Sequence, residues 1–297
     1  MPVLAVLAIV VAACDGSGPD DREPSPSASA SPSPVPVTAS PTATPDCSSA
    51  GSPIQVVDVV TAEATVVARG AQPLWSPDGE RIAFIGPDAT DCEKLWSLYS
   101  VDLATGAKRI IADDSTGWSS WSPDGRTIVS ASWEGQAPDI EGRIELIDFE
   151  TGSMTVLFRG RRVMAPHWSA SGERLAFGGE DDHGTWSARV IGTTTGIAVA
   201  EFAAEGERRI GWVRLSPDGG NLAFVEIEED FKGNSIRQWL YVGPVAGEPA
   251  SVLETDWFFR TPAWSSDGSL VAVVADNGLD FDLYTMAADG SGSQIIA

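Results

Sequence analysis

Histidine is nearly missing from this chain: His167 and His183 are its only two, which excludes a metal centre built from several imidazoles. Basic residues are scarce as well, 19 against 42 acidic ones, for a formal net charge of -23. Such a charge repels nucleic-acid phosphate and anionic lipid, so a DNA or RNA groove is excluded as a general surface property. No segment of the mature chain reaches the roughly 20 apolar residues of a spanning helix. Catalytic signatures are missing too. There is no G-x-S-x-G nucleophile elbow, and the recurrent turns are not sialidase Asp boxes, because Asp and Gly are adjacent rather than separated by one residue. What remains is a 297-residue chain, 43% hydrophobic, with 11 Trp: enough to bury a sizeable core in one or two domains.

Only three cysteines occur, and the first closes the one long apolar run. Residues 2–13 (PVLAVLAIVVAA) carry no charge and end in Val11-Ala12-Ala13-Cys14. This resembles the lipobox of a bacterial lipoprotein signal, in which small residues admit the peptidase and the Cys thiol takes a diacylglyceryl group. The resemblance implies a signal peptide over 1–13, lipidation of Cys14 and a place on the outer leaflet of the cytoplasmic membrane. The absence of Lys or Arg before the run departs from the pattern and points to an upstream start. Residues 15–53 are Pro, Ser, Thr and Ala with almost no large apolar group. They cannot offset their ordering entropy by burial and read as a stalk, up to roughly 100 Å long if extended at about 3.1 Å per residue. Cys47, at its end, and Cys92 suit a disulfide pinning the stalk to the domain in an oxidising compartment.

From residue 54 the chain repeats. PLWSPDGERIAFIG (73–86), SSWSPDGRTIVSAS (119–132), PHWSASGERLAFGG (166–179), VRLSPDGGNLAFVE (213–226) and PAWSSDGSLVAVVA (262–275) share one template. Their third residues, Trp75, Trp121, Trp168, Leu215 and Trp264, lie 46, 47, 47 and 49 positions apart, a propeller period. Each copy reads as a hairpin, with Pro presetting φ and Gly taking the left-handed position of a type I turn with a bulge. A second turn follows each, ending at Gly106, Gly152, Gly196, Gly247 and Gly290. Four strands per period make one blade. Near-continuous apolar runs such as IAF and LAF suit strands buried on both faces.

WSPDGxxIAF followed by LYxVDxxTG is similar to the TolB-like (WD-type) β-propeller repeat of periplasmic proteins, peptidase propellers and surface lipoproteins. The resemblance covers residues 54–297 and implies an all-β propeller of four-stranded antiparallel blades. Leu215 in place of Trp, and the turns SASG and SSDG, depart from it. Five blades are complete. IQVVDVV and ATVVARG (54–70) read as two N-terminal strands of a sixth, and seven residues after Gly290 leave no sixth hairpin. The expectation is a six-sector ring with one incomplete blade, or a sequence truncated at its C-terminus.

Blade geometry puts the SPDG turns and second turns on one face and the longer connections on the other. Connections into the inner strands carry Arg69, Arg159, Arg161, Arg162, Arg208, Arg209 and Arg260, joined by Trp118, Trp212, Trp257 and Phe259. Loops between second and third strands carry carboxylates, among them Glu134, Glu141, Glu180, Asp181, Asp182, Glu226 and Glu229. The pattern predicts a binding face with an Arg and aromatic centre (Arg69, Trp118, Arg161, Arg162, Arg209, Trp212, Trp257, Phe259, Arg260) inside an acidic rim; solvated loops joined by salt bridges are the alternative. His167 is expected to be a hydrogen-bonded inner-strand residue. Asp181, Asp182 and His183 could meet on a metal. Asp276, Asn277, Asp280 and Asp282 form a calcium candidate that lacks EF-hand spacing. No cofactor is required. The expected function is a monomeric, non-catalytic module binding an envelope protein, peptide or polysaccharide. A polysaccharide hydrolase or lyase, or an accessory propeller of a peptidase system, is the alternative.

Overall fold

The computed structural model describes residues 51–86, 97–113, 115–134, 141–230, 233–276 and 278–296. Cys14, Cys47, Cys92, Asn277 and residues 1–50 lie outside the described residues, and with them the expected lipidation, disulfide and all of the stalk but its last three residues, of which Ser52 and Pro53 belong to a strand rather than to the stalk.

Every described element is a strand, and the order follows the sequence repeat. A hairpin of β1 (Ser52–Val57) and β2 (Ala64–Trp75) opens the chain. The second part of β2, with β3 (Arg81–Gly86), β4 (Ser97–Asp102) and β5 (Lys108–Ala112), forms the first blade. The second blade is β6 (Ser115–Trp121), β7 (Thr127–Glu134), β8 (Glu141–Asp148) and β9 (Met154–Gly160). The third is β10 (Arg162–Trp168), β11 (Arg174–Glu180), β12 (Trp186–Gly192) and β13 (Ala198–Ala203). The fourth is β14 (Arg209–Leu215), β15 (Asn221–Glu229), β16 (Ser235–Pro244) and β17 (Ala250–Thr255). In the fifth, the inner strand is split into β18 (Phe258–Phe259) and β19 (Ala263–Trp264), followed by β20 (Leu270–Asp276), β21 (Phe281–Ala287) and β22 (Gln294–Ile295). All neighbouring strands pair antiparallel. The molecule is an all-β, five-bladed propeller-like ring of mostly four-stranded sheets.

The repeated turn closes as its residues dictate. In the first copy Gly79 N donates to the Ser76 carbonyl at 2.9 Å, and Gly79 adopts φ 73°, where a side chain would be strained. Asp78 Oδ1 accepts from Ser76 Oγ at 2.5 Å and from Glu80 N at 3.0 Å, so hydroxyl and carboxylate lock the loop from inside. The SASG copy keeps the same frame with Ser171 accepting from Glu173 N at 3.3 Å.

The blades are held face to face by apolar clusters, which explains the uninterrupted buried runs in β3, β11 and β15. Ile85 and Leu98 meet Trp121 and Ile128; Val129 and Ile144 meet Trp168 and Phe177; Ala188 and Val190 meet Ile210 and Phe224; Val225 and Leu240 meet Val271 and Met286. Template indoles add a directional link. Trp121 Nε1 donates to the Leu74 carbonyl of the preceding blade at 3.3 Å, and Trp168 Nε1 to Ser120 at 3.2 Å. Trp264 Nε1 reaches the Arg214 carbonyl at 3.2 Å. Leu215 has no such donor.

The N-terminal strands sit where a sixth sector would begin, but they do not form a separate blade. Residues 64–70 of β2 pair with β1, and residues 71–75 pair with β3, so one twelve-residue strand joins the hairpin to the first blade in a five-stranded sheet. The hairpin packs Ile54 and Ala68 on Ile82, Phe84 and Val101. Among the described residues no apolar cluster joins it to the fifth blade, whose Leu270, Phe281 and Ile295 are exposed.

Inner strands are irregular at one level. The register shifts between Ala71 and Leu74, Ser115 and Ser119, Met164 and His167, and Ile210 and Val213. These bulges extrude the residues between them from the ladder and re-aim their side chains. In the fifth blade residues 260–262 interrupt the strand at the same level.

Candidate functional site

The bulges bring aromatic side chains together at the loop-side end of the ring. Trp118 lies in the bulge of β6 and Trp212 in that of β14, while Phe258 and Phe259 sit on the short β18. With Met164, Ala165, Gln238, Arg209 and Arg260 they line one cavity of about 510 Å³. Ala165 holds φ 54°, an uncommon conformation for a residue with a side chain, and forms part of the wall. Gln238 is buried; its Oε1 accepts from Phe259 N at 2.8 Å, which fixes the angle at which β18 enters the cavity. Trp118 packs edge-on against Trp133 with centroids 5.3 Å apart.

Five of the nine residues expected on this face, Trp118, Arg209, Trp212, Phe259 and Arg260, therefore share a cavity. The other four do not. Arg69 is exposed and donates to the Gly51 carbonyl at 3.3 Å. Arg161 and Arg162 turn to Glu180, at 3.4 and 3.6 Å. Trp257 packs on the apolar cluster between the fourth and fifth blades.

The expected separation of an Arg centre from an acidic rim is corrected by the ion pairs. Arg209 pairs with Glu229, Arg260 Nε donates to Asp276 Oδ2 at 3.1 Å, and Arg159 pairs with Glu141. Arg208 Nη1 bridges Glu226 at 3.0 Å and Glu205 at 2.9 Å while its guanidinium lies 3.4 Å from the Trp239 ring centroid. Glu226 is 2% exposed, and burial pushes its carboxyl above the ordinary glutamate value against the pull of Arg208. Rim and centre neutralise each other, so the cavity mouth is aromatic and polar rather than cationic.

Among the described residues no group of three or more His, Cys, Asp or Glu is arranged to hold a metal. Asp181 Oδ1 accepts from His183 N at 2.9 Å and Thr185 N at 2.8 Å, hydrogen bonds that hold its carboxyl below the usual range. Asp276 is held low chiefly by Arg260, and its Oδ1 accepts from Gly278 N at 2.7 Å. Backbone N–H groups thus bind the Asp181 carboxylate, and a backbone N–H together with the Arg260 cation binds that of Asp276.

A second cavity, of about 620 Å³, opens at the turn-side end of the ring. Ser120, His167, Arg214 and Ala263, each one residue before the template position, lie on its wall with Trp121, Trp168 and Trp264. His167 is on an inner strand, as expected, but its Nδ1 is buried with no hydrogen-bond partner among the described residues. Desolvation, and then the nearby Arg214, lower its pKa to about 3, so the ring is neutral at physiological pH. Arg214 was not anticipated: in VRLSPDG it reads as an ordinary polar residue alternating along a strand.

No protein-family model and no curated protein matches the sequence. Solved structures match the fold. TolB from Acinetobacter baumannii is similar at 20% identity and TM-score 0.56, with 81% of this chain and 58% of that chain covered. An oligogalacturonate lyase in complex with manganese matches at 18% identity and TM-score 0.60, covering 82% and 70%. The β-propeller domain of the Trilobed protease from Pyrococcus furiosus, described as having an open velcro topology, matches at 15% and TM-score 0.53, covering 76% and 69%. At these identities the likeness is one of fold, shared by binding proteins and enzymes alike.

Proposed function

We propose that this chain is a lipid-anchored, extracytoplasmic propeller that binds an extended peptide segment of an envelope protein, without catalysis, at the loop-side end of its ring. The observation that carries this reading is the cavity lined by Trp118, Trp212, Phe258 and Phe259, whose arginines are already neutralised by carboxylates. Aromatic walls with a few polar groups suit apolar side chains on a hydrogen-bonding backbone. The lipobox-like Val11-Ala12-Ala13-Cys14 and the Pro/Ser/Thr-rich stretch after it support an anchored domain held away from the membrane.

A peptide and glycan array probed with the full chain tests the binding reading. Peptides with spaced apolar residues are expected to bind, and Trp212→Ala to weaken them at least tenfold. Binding unchanged by Trp212→Ala, or turnover of an acidic oligosaccharide seen by product analysis, overturns it; the second result favours the lyase reading. Metabolic labelling with palmitate, lost on Cys14→Ala, tests the anchor.

A further inference from the structure

The turn-side cavity holds a cation that the loop-side face does not explain. Arg209 and Arg260, which line the loop-side cavity, each meet a carboxylate, as do Arg161 and Arg162, whereas Arg214, among the described residues, meets none. Its hydrogen bond runs from Nη1 to the neighbouring Val213 carbonyl at 2.9 Å, and its guanidinium lies 5.8 Å from the Trp212 ring centroid. The residue is half-buried and lines the cavity. Desolvation lowers its pKa to about 10, which leaves it charged at physiological pH. A guanidinium taken out of water without a counter-charge is destabilising, and such a group is retained where a ligand supplies the charge.

Beside it, on the adjacent blade, His167 Nδ1 is buried with no hydrogen-bond partner among the described residues. Trp121, Trp264 and Pro217 give the cavity apolar walls, which raise the strength of any ion pair formed between them. A volume of about 620 Å³ is within the roughly 300–1,000 Å³ range of small-molecule sites.

We infer that the turn-side cavity is a carboxylate-binding site, in which the Arg214 fork takes the two oxygens of a carboxylate beside the His167 ring. The charge count favours a carboxylate over phosphate: one guanidinium and one neutral imidazole match a single negative charge, and a planar fork matches a planar acceptor. The site lies next to the aromatic cavity, on its turn side, and the carboxylate reading does not use the peptide reading.

Calorimetric titration and thermal melting of the full chain with acetate, succinate, inorganic phosphate and neutral acetamide test it. Succinate and acetate are expected to bind and raise Tm, acetamide to do neither, and Arg214→Gln to weaken carboxylate binding at least tenfold. Arg237→Gln, which lines neither cavity, is expected to leave that binding unchanged. Arg214→Lys keeps the charge without the fork; it is expected to fold and to lose about tenfold in affinity, which covers a failure of the Gln variant. Without ligand, Arg214→Met is expected to melt no lower than the parent, since it removes an uncompensated charge; an arginine retained for structure would lower Tm. The proposal is overturned by absence of carboxylate binding, by equal binding in Arg214→Gln, or by phosphate binding more tightly than succinate.

Discussion

Trp168 Nε1 donates a 3.2 Å hydrogen bond to the Ser120 carbonyl of the neighbouring blade, so the residue that marks the sequence period also ties two blades together. Trp168 is buried among Val129, Leu175 and Phe177. Replacing it by Phe keeps an aromatic ring but leaves a carbonyl unsatisfied and a small void. The expected loss is about 2 kcal/mol, read as a lower urea midpoint with an unchanged m-value.

The SASG turn is the one copy in which Ser replaces the capping Asp. Ser171→Asp restores the carboxylate that in the other copies accepts from the Ser hydroxyl and from the N–H two residues on. An increase in stability of about 1 kcal/mol is expected, by analogy with other charge-assisted hydrogen bonds. An unchanged or lower midpoint would refute the turn-locking role.

Acid should unlock the same turns. Asp78, Asp124 and Asp218 are held below the ordinary aspartate value, first by their Ser hydroxyls and then by backbone N–H groups, and Asp267 is lowered to about 2. A depressed carboxylate favours the folded state while ionised. Its contribution is complete above the unfolded value of 3.8 and is lost as pH falls through the folded one. Urea midpoints measured from pH 5 to pH 2 are expected to fall over the lower half of that range, and Asp267→Asn to flatten part of the slope.

Gly70 sits where β2 passes from the N-terminal hairpin into the first blade. An added Cβ would clash with the Ile85 carbonyl oxygen and lie 2.8 Å from the Phe84 ring. Backbone cannot yield cheaply there, so Gly70→Ala is expected to cost at least about 2 kcal/mol. Hydrogen exchange would show the loss first in β1 and β3, the two strands that pair with β2.

Much of the fold was readable in the chain because its signals are local. The Ser-Pro-Asp-Gly turn is closed by its own hydroxyl, carboxylate and glycine, and the alternation of turns at a 46 to 49 residue period specifies strands and blades without reference to distant residues. Even the two extra N-terminal strands were legible. Their continuity with the first blade was not, since nothing local distinguishes a strand that ends at Gly70 from one that runs on to Trp75.

The site was only half legible, for a different reason. Placing Trp118 and Trp212 near the centre needed only blade order, but aiming them into one cavity required the inner-strand bulges, which break the two-residue period that sequence reading relies on. Charges were harder still. Arg162 and Glu180 are 18 positions apart, and their pairing depends on the register in which the inner strand β10 meets β11. The sequence by itself determined the turns, the blade period and the surplus of acid. Tertiary structure alone decided which arginines that acid neutralises and that Arg214 is left beside His167 in a cavity, because charge compensation depends on which side chains meet once the strands have paired and the blades have packed, and not on spacing along the chain.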